Sequence, residues 1–169
     1  MKTIRLRSIV HIMVLITVSL GQLSSQNIES QGEKMLLGSV SEGQLYKTFP
    51  DWKIEKDFYL VDSSFIMWAK EVDWNAISVH IWLGTWCGDS EREVPRFFKV
   101  MDESGMGDQI EIKMFAIDRE FSAPNMNAAK ANVQYVPTFI FYKEDKEVGR
   151  IIEKPEKSLE RDIIKILQN

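Results

Sequence analysis

Ile77, Val79, Ile81 and Leu83 alternate with Ser78, His80 and Trp82, a period of two that predicts a β-strand, and Gly84 and Thr85 end it. Over residues 89–101 the spacing becomes helical. Val94, Phe97, Phe98 and Met101 share a face, and Asp89, Ser90 and Glu91 form the polar first turn that a helix N-terminus favours. Pro95 sits inside this pattern and predicts a kink. Residues 110–117 read as a second strand, 126–131 as a short helix, and 138–142 as an apolar, aromatic strand directly after Pro137. A polar turn at 143–146 leads into a hairpin partner at 147–152. Leu159, Ile163, Ile166 and Leu167 define one face of a C-terminal helix, with Pro155 and Ser158 ahead of it as start signals. The apolar, Trp-rich stretch 58–74 supplies one more expected helix. Alternating strands and helices predict parallel pairing with helices on the faces, and the last hairpin adds antiparallel strands: an α/β chain with a mixed sheet.

Ahead of this pattern the chain changes character. Lys2, Arg5 and Arg7 precede an apolar run over residues 9–20, and Ser19 and Gly21 offer small residues for cleavage, so residues 1–21 read as a signal peptide. The run is short of the roughly 20 residues that span a bilayer, which favours removal over a retained anchor. The expected product is exported, periplasmic or secreted, with no stable membrane span after cleavage. Residues 22–45, rich in Ser, Gln, Glu and Gly, read as a flexible leader, and residues 46–169 as one domain.

Composition narrows the chemistry. The 44% hydrophobic content of 169 residues suffices for one continuous core and excludes disorder as the main state. With 21 Lys and Arg against 25 Asp and Glu the net charge is -4, and losing residues 1–21 would remove three cations and no acid. Such a balance argues against a nucleic-acid partner. Cys87 is the single cysteine, which excludes an intramolecular disulfide and any Cys-rich metal site. Export would place this lone thiol outside the reducing cytosol, where it needs a partner to stay reduced or pairs with a second copy as a Cys87-linked dimer.

Trp86-Cys87-Gly88-Asp89-Ser90 stands at the predicted strand-to-helix junction, Pro95 follows eight residues after the cysteine, and Val136-Pro137-Thr138 immediately precedes a strand. In this order the features resemble the thioredoxin-like superfamily, over residues 77–167. The resemblance implies a thioredoxin-like fold, a central mixed sheet flanked by helices with a C-terminal β-hairpin and helix. It implies that Pro137 is a cis proline packed beside the active-site sulfur and that the backbone at Val136 pairs with an extended substrate. An ordinary strand-start proline is the alternative. Trp86, Gly88, Asp89, Val136 and Pro137 are the expected substrate-binding residues, with Cys87 and Ser90 at the reacting centre.

Two positions depart from the family pattern. Ser90 stands where the second cysteine of the dithiol motif belongs, and a hydroxyl cannot take over a disulfide, so the ordinary dithiol cycle is excluded. Ile81 stands where thioredoxins commonly carry a buried acid. His80 is next to it in sequence, but alternation sends it to the other sheet face, as a strand residue satisfied by local hydrogen bonds rather than a catalytic base. A helix N-terminus favours negative charge on Cys87 and Asp89 opposes it, with Arg92 able to offset Asp89 if its side chain folds back. Two readings remain. One is a monothiol protein whose Cys87 forms mixed disulfides with a protein or low-molecular-weight thiol partner, with Ser90 donating a hydrogen bond to the sulfur. The other is a redox-inactive module that binds a protein or peptide in the same groove. A Cys-His dyad is disfavoured by the face argument, and no phosphate loop, cofactor or metal site is expected. Trp52, Trp68, Trp74 and Trp82 are expected to fill the core or rim a groove.

Overall fold

Alternation along residues 77–83 has the predicted result: β3, Ile77–Leu83, turns Ile77, Val79, Ile81 and Leu83 to one core and Trp82 to another. The computed structural model describes residues 26–30 and 33–168. Two strands precede β3, namely β1, Gln26–Ser30, and β2, Glu33–Val40. Beyond it come β4, Glu111–Ala116, the short β5, Ser122–Ala123, and β6, Met126–Asn127, then β7, Thr138–Lys143, and β8, Lys146–Ile152. The main sheet has six strands in the order β1-β2-β4-β3-β7-β8. Only β3 and β4 are parallel among its pairs, so the sheet is mixed, as expected.

The helices are α1, Glu42–Thr48, α2, Trp52–Phe58, α3, Ser63–Ala69, α4, Gly88–Glu103, and α5, Leu159–Leu167. Ser158 caps α5 through its side chain, which accepts the Arg161 N–H. Pro95 lies buried inside α4, where it removes one backbone donor. Phe97 and Phe98 of α4, Phe139 and Phe141 of β7 and Ile163 of α5 close the larger core over one sheet face. A smaller core of Trp82, Ile117, Ala123, Val133, Val136 and Ile140 fills the other, and Trp86 and Cys87 pack against its edge. Trp52 and Trp74 are buried, and Trp68 lies edge-on to Trp74 with ring centroids 6.1 Å apart.

Two expectations are corrected. The flexible leader at residues 22–45 contains β2, which pairs with β4 through Gly38, Ser39 and Val40, and the first residues of α1. Leu36 is only 1% exposed. Met35, Leu36 and Leu37 are too short an apolar run to show a period, and Thr85, which accepts the Leu36 N–H, lies 49 residues further along the chain. The helix expected at 126–131 is instead β6, hairpin partner of β5, followed by a single 3-10 turn at Ala128–Ala131. Asn125, at φ 60°, makes the tight turn between the two strands. The expected signal peptide, residues 1–21, lies outside the described residues. None of the described helices is long and apolar enough to cross a membrane.

Candidate active site

Where β3 ends, the chain must turn into α4, and Gly84 makes the turn fit. A Cβ at Gly84 would stand 2.6 Å from Cε2 of the Trp86 indole, well inside contact distance. The indole lies over this glycine, its Nε1 donates to the Ile117 carbonyl at 2.9 Å, and the Arg119 guanidinium stands 4.8 Å from the ring centroid. Arg119 belongs to a turn braced by Asp118, whose carboxylate accepts the N–H groups of Glu120 and Ser122. Thr85, also in the junction, accepts the Leu36 N–H through Oγ1 at 3.1 Å, which ties β2 to the loop carrying the cysteine.

Cys87 is the N-cap residue of α4, in extended conformation, with its N–H donating to the Gly84 carbonyl at 2.9 Å. Its side chain is partly buried, and the thiol donates to the Val136 carbonyl with Sγ 3.2 Å from the oxygen. The Val136–Pro137 peptide is cis, in agreement with the expectation for Pro137. Thr138 fastens the same segment by donating from Oγ1 to the Tyr135 carbonyl at 2.7 Å, and the Glu153 N–H donates to the Pro137 carbonyl at 2.7 Å. Cys87, Trp86, Val136 and Pro137 are thus brought together from the β3–α4 junction and the segment before β7. Gly88 opens α4 with no neighbour within 4 Å of the position a Cβ would take. Asp89 is half-exposed and ion-paired with Arg92, which does turn back.

Ser90 requires a correction. It is completely buried, and its Oγ accepts the Gly84 N–H at 3.2 Å instead of meeting Cys87; no Ser90–Cys87 hydrogen bond occurs among the described residues. At the third helical position the side chain reaches the turn after β3, where the buried Gly84 N–H needs an acceptor. His80 lies on the face opposite Ile81, as alternation requires, and its ring packs on Tyr142 at 4.7 Å and Phe115 at 5.5 Å between centroids, with no side-chain hydrogen bond among the described residues. Burial, and then the Lys113 charge, push its pKa below the ordinary histidine value. Sequence reasoning missed Thr85, Ile117 and Arg119, whose contacts join segments about 30 to 50 residues apart with no local signature. It also missed Glu93, a 4% exposed acid of α4 that pairs with Arg92 at 2.7 Å. Its signal was present as a carboxylate on the apolar side of the helix. Among the described residues no group of acidic, histidine or cysteine side chains is arranged to hold a metal.

The Thioredoxin family model matches residues 63–165. The chain belongs to the thioredoxin family. Several solved structures are similar to this thioredoxin-family protein. A Pseudomonas aeruginosa protein of unknown function is 11% identical, with 76% of this chain and 98% of that one covered and a TM-score of 0.53. Thioredoxin from Fasciola hepatica is 21% identical over 63% of this chain and 90% of its own, with a TM-score of 0.41. Thioredoxin from Aeropyrum pernix is 19% identical over 66% and 85%, with a TM-score of 0.39. No curated protein sequence matches the chain significantly.

Proposed function

We propose that this thioredoxin-family protein exchanges thiols and disulfides through Cys87 alone. The observation that carries the reading is the cysteine's position, partly exposed at the cap of α4 with Sγ 3.2 Å from the Val136 carbonyl beside cis Pro137. The Cys87 thiolate attacks one sulfur of a partner disulfide, the new S–S bond forms as the old one breaks, and the departing sulfur leaves with the electron pair as a thiolate. Loss of the Cys87 proton removes the donor to Val136, and that carbonyl becomes available to a backbone N–H of the partner. Trp86, clamped by Ile117, Gly84 and Arg119, forms a fixed wall of the groove. Ser90 cannot resolve the mixed disulfide, so a second thiol from outside must attack it, releasing Cys87 as thiolate and the partner as a new disulfide. A protein or small-molecule thiol can serve, and export through residues 1–21 belongs to the same proposal.

The test is mixed-disulfide formation read by intact mass. The wild-type protein is expected to gain one adduct that an added thiol removes, and Cys87→Ala none. Ser90→Ala loses one hydrogen bond, about 1 kcal/mol of stability, and retains exchange within about threefold of wild type, a change of under 1 kcal/mol in barrier. An unreactive native Cys87, labelled only in denaturant, would sink this reading and favour the binding module, in which Cys87→Ala leaves partner binding intact.

A further inference from the structure

Helix α2 turns one side to α4 and the other to solvent. Trp52 is buried, Glu55 pairs with Arg96 of α4 at 2.7 Å, and Lys56 pairs with Asp102 of α4 and Glu42 of α1, each at 2.6 Å. The outer side is left to Lys53, Ile54, Asp57 and Phe58, which form two adjacent rows four residues apart, 53 with 57 and 54 with 58. The apolar row lies in water, with Ile54 55% and Phe58 80% exposed, and Leu60, just past the end of the helix, is 90% exposed. Large apolar side chains gathered in one such short stretch mark an interaction surface. The polar row beside them holds one cation and one anion, and neither the Lys53 nor the Asp57 side chain has an ion-pair partner among the described residues.

We infer that the outer face of α2 is the interface of a non-covalent homodimer, in which two copies of the chain pack this helix antiparallel about a twofold axis. The order of the rows selects the partner. When a helix meets its own copy antiparallel, the residues flanking the contact on one side meet the same flank of the copy in reverse order. Ile54 of each copy then packs on Phe58 of the other, and Lys53 of each stands opposite Asp57 of the other, so the face complements itself in apolar contact and in charge. A lipid surface is fitted by cations around an apolar row, and Asp57 together with a net charge of -4 opposes it. A partner of a single charge sign would set a like charge against Lys53 or Asp57. Covering Ile54 and Phe58 on both copies supplies the affinity, while the two charge pairs fix the orientation. One short helix per copy makes a small interface, so the dimer forms and dissociates with concentration. Cys87 takes no part in it, which separates this pair from a disulfide-linked one.

Sedimentation velocity in reducing buffer, from roughly 1 to 500 μM protein, follows the equilibrium between monomer and dimer. Wild type and Cys87→Ala are expected to show the same transition. Lys53→Asp and Asp57→Lys each set like charges against one another in both contacts and should raise the dissociation constant about tenfold. The double variant, with the two charges exchanged, should return to within about threefold of wild type. Phe58→Ala removes a side chain that stands in solvent in the monomer, and should leave a monomer throughout with an unchanged unfolding midpoint. A wild-type monomer at every concentration, single variants that dimerise as wild type does, a double variant no better than the singles, or a dimer that vanishes in Cys87→Ala would overturn the interface. So would a monomeric wild type that sediments with vesicles of phosphatidylcholine and phosphatidylglycerol, which would assign the apolar row to a lipid surface. None of these outcomes touches the reading of exchange at Cys87.

Discussion

His80 illustrates how a side chain's neighbours set its protonation. Packed by Phe115 and Tyr142 and with Lys113 close by, it resists protonation in the folded chain, so its pKa lies below the ordinary value. The unfolded chain takes up this proton near pH ~6.5. As pH falls through that value the unfolded state binds protons that the folded state refuses, and stability declines until the lower folded pKa is passed. His80→Phe should abolish this part of the acid sensitivity, so that urea midpoints for wild type and variant, compared from about pH 7.5 to 5.5, converge at one end and part at the other. Parallel midpoints across the range would contradict this account. The alternation of residues 77–83 made the face of His80 legible in the sequence. The aromatic partners were not, because they come from β4 and β7.

Between elements, α4 and α2 are joined by two polar links, Asp102 to Lys56 at 2.6 Å and, nearer the start of α4, Arg96. Its guanidinium pairs with Glu55 through Nε at 3.0 Å and Nη2 at 2.7 Å, and lies 5.4 Å from the Tyr59 ring centroid just past the end of α2. Tyr59 in turn donates its hydroxyl to buried Glu160 of α5 at 3.1 Å, and burial together with that carboxylate raises the phenol pKa. The Arg96 pair is partly exposed, so its ion-pair and ring contributions are modest, together about 1 to 2 kcal/mol. Arg96→Ala should lower unfolding free energy by that amount in denaturant titration and leave the alkylation rate of Cys87 unchanged, since the link is on the helix layer away from the thiol. A large change in alkylation would show that α2 supports the cap of α4. The sequence predicted α4 and α5 from spacing and capping, as well as a helix within 58–74, where α3 lies. It did not place α2, whose seven residues form a helix because Trp52 is buried against α4 and the core around it.

For the whole molecule, the decisive addition is β2. It extends the sheet beyond β4, buries Met35, Leu36, Leu37 and Val40, and donates the Leu36 N–H to Thr85 in the junction before Cys87. Burying one such side chain stabilises by roughly 1.5 to 3 kcal/mol, so losing four approaches the ~5 to 15 kcal/mol that holds a typical domain together. A chain beginning at Ser41 is therefore expected to lose the cooperative unfolding transition that a chain beginning at Gln26 shows by circular dichroism. An intact transition in the shorter chain would mean that the family-matched region is sufficient. The sequence by itself determined the α/β class, the strand-to-helix junction with Cys87 at its apex, the absence of a second cysteine, and the likeness to the thioredoxin family, because these depend on periodicity and on residues adjacent in the chain. Only the tertiary structure decided that Ser90 supports Gly84 rather than the sulfur, that Ile117 and Arg119 fix Trp86, and that β2 belongs to the sheet. Each of those outcomes depends on which groups satisfy one another's hydrogen bonds and buried surface across long sequence separations, and that pairing is set when the chain closes on itself.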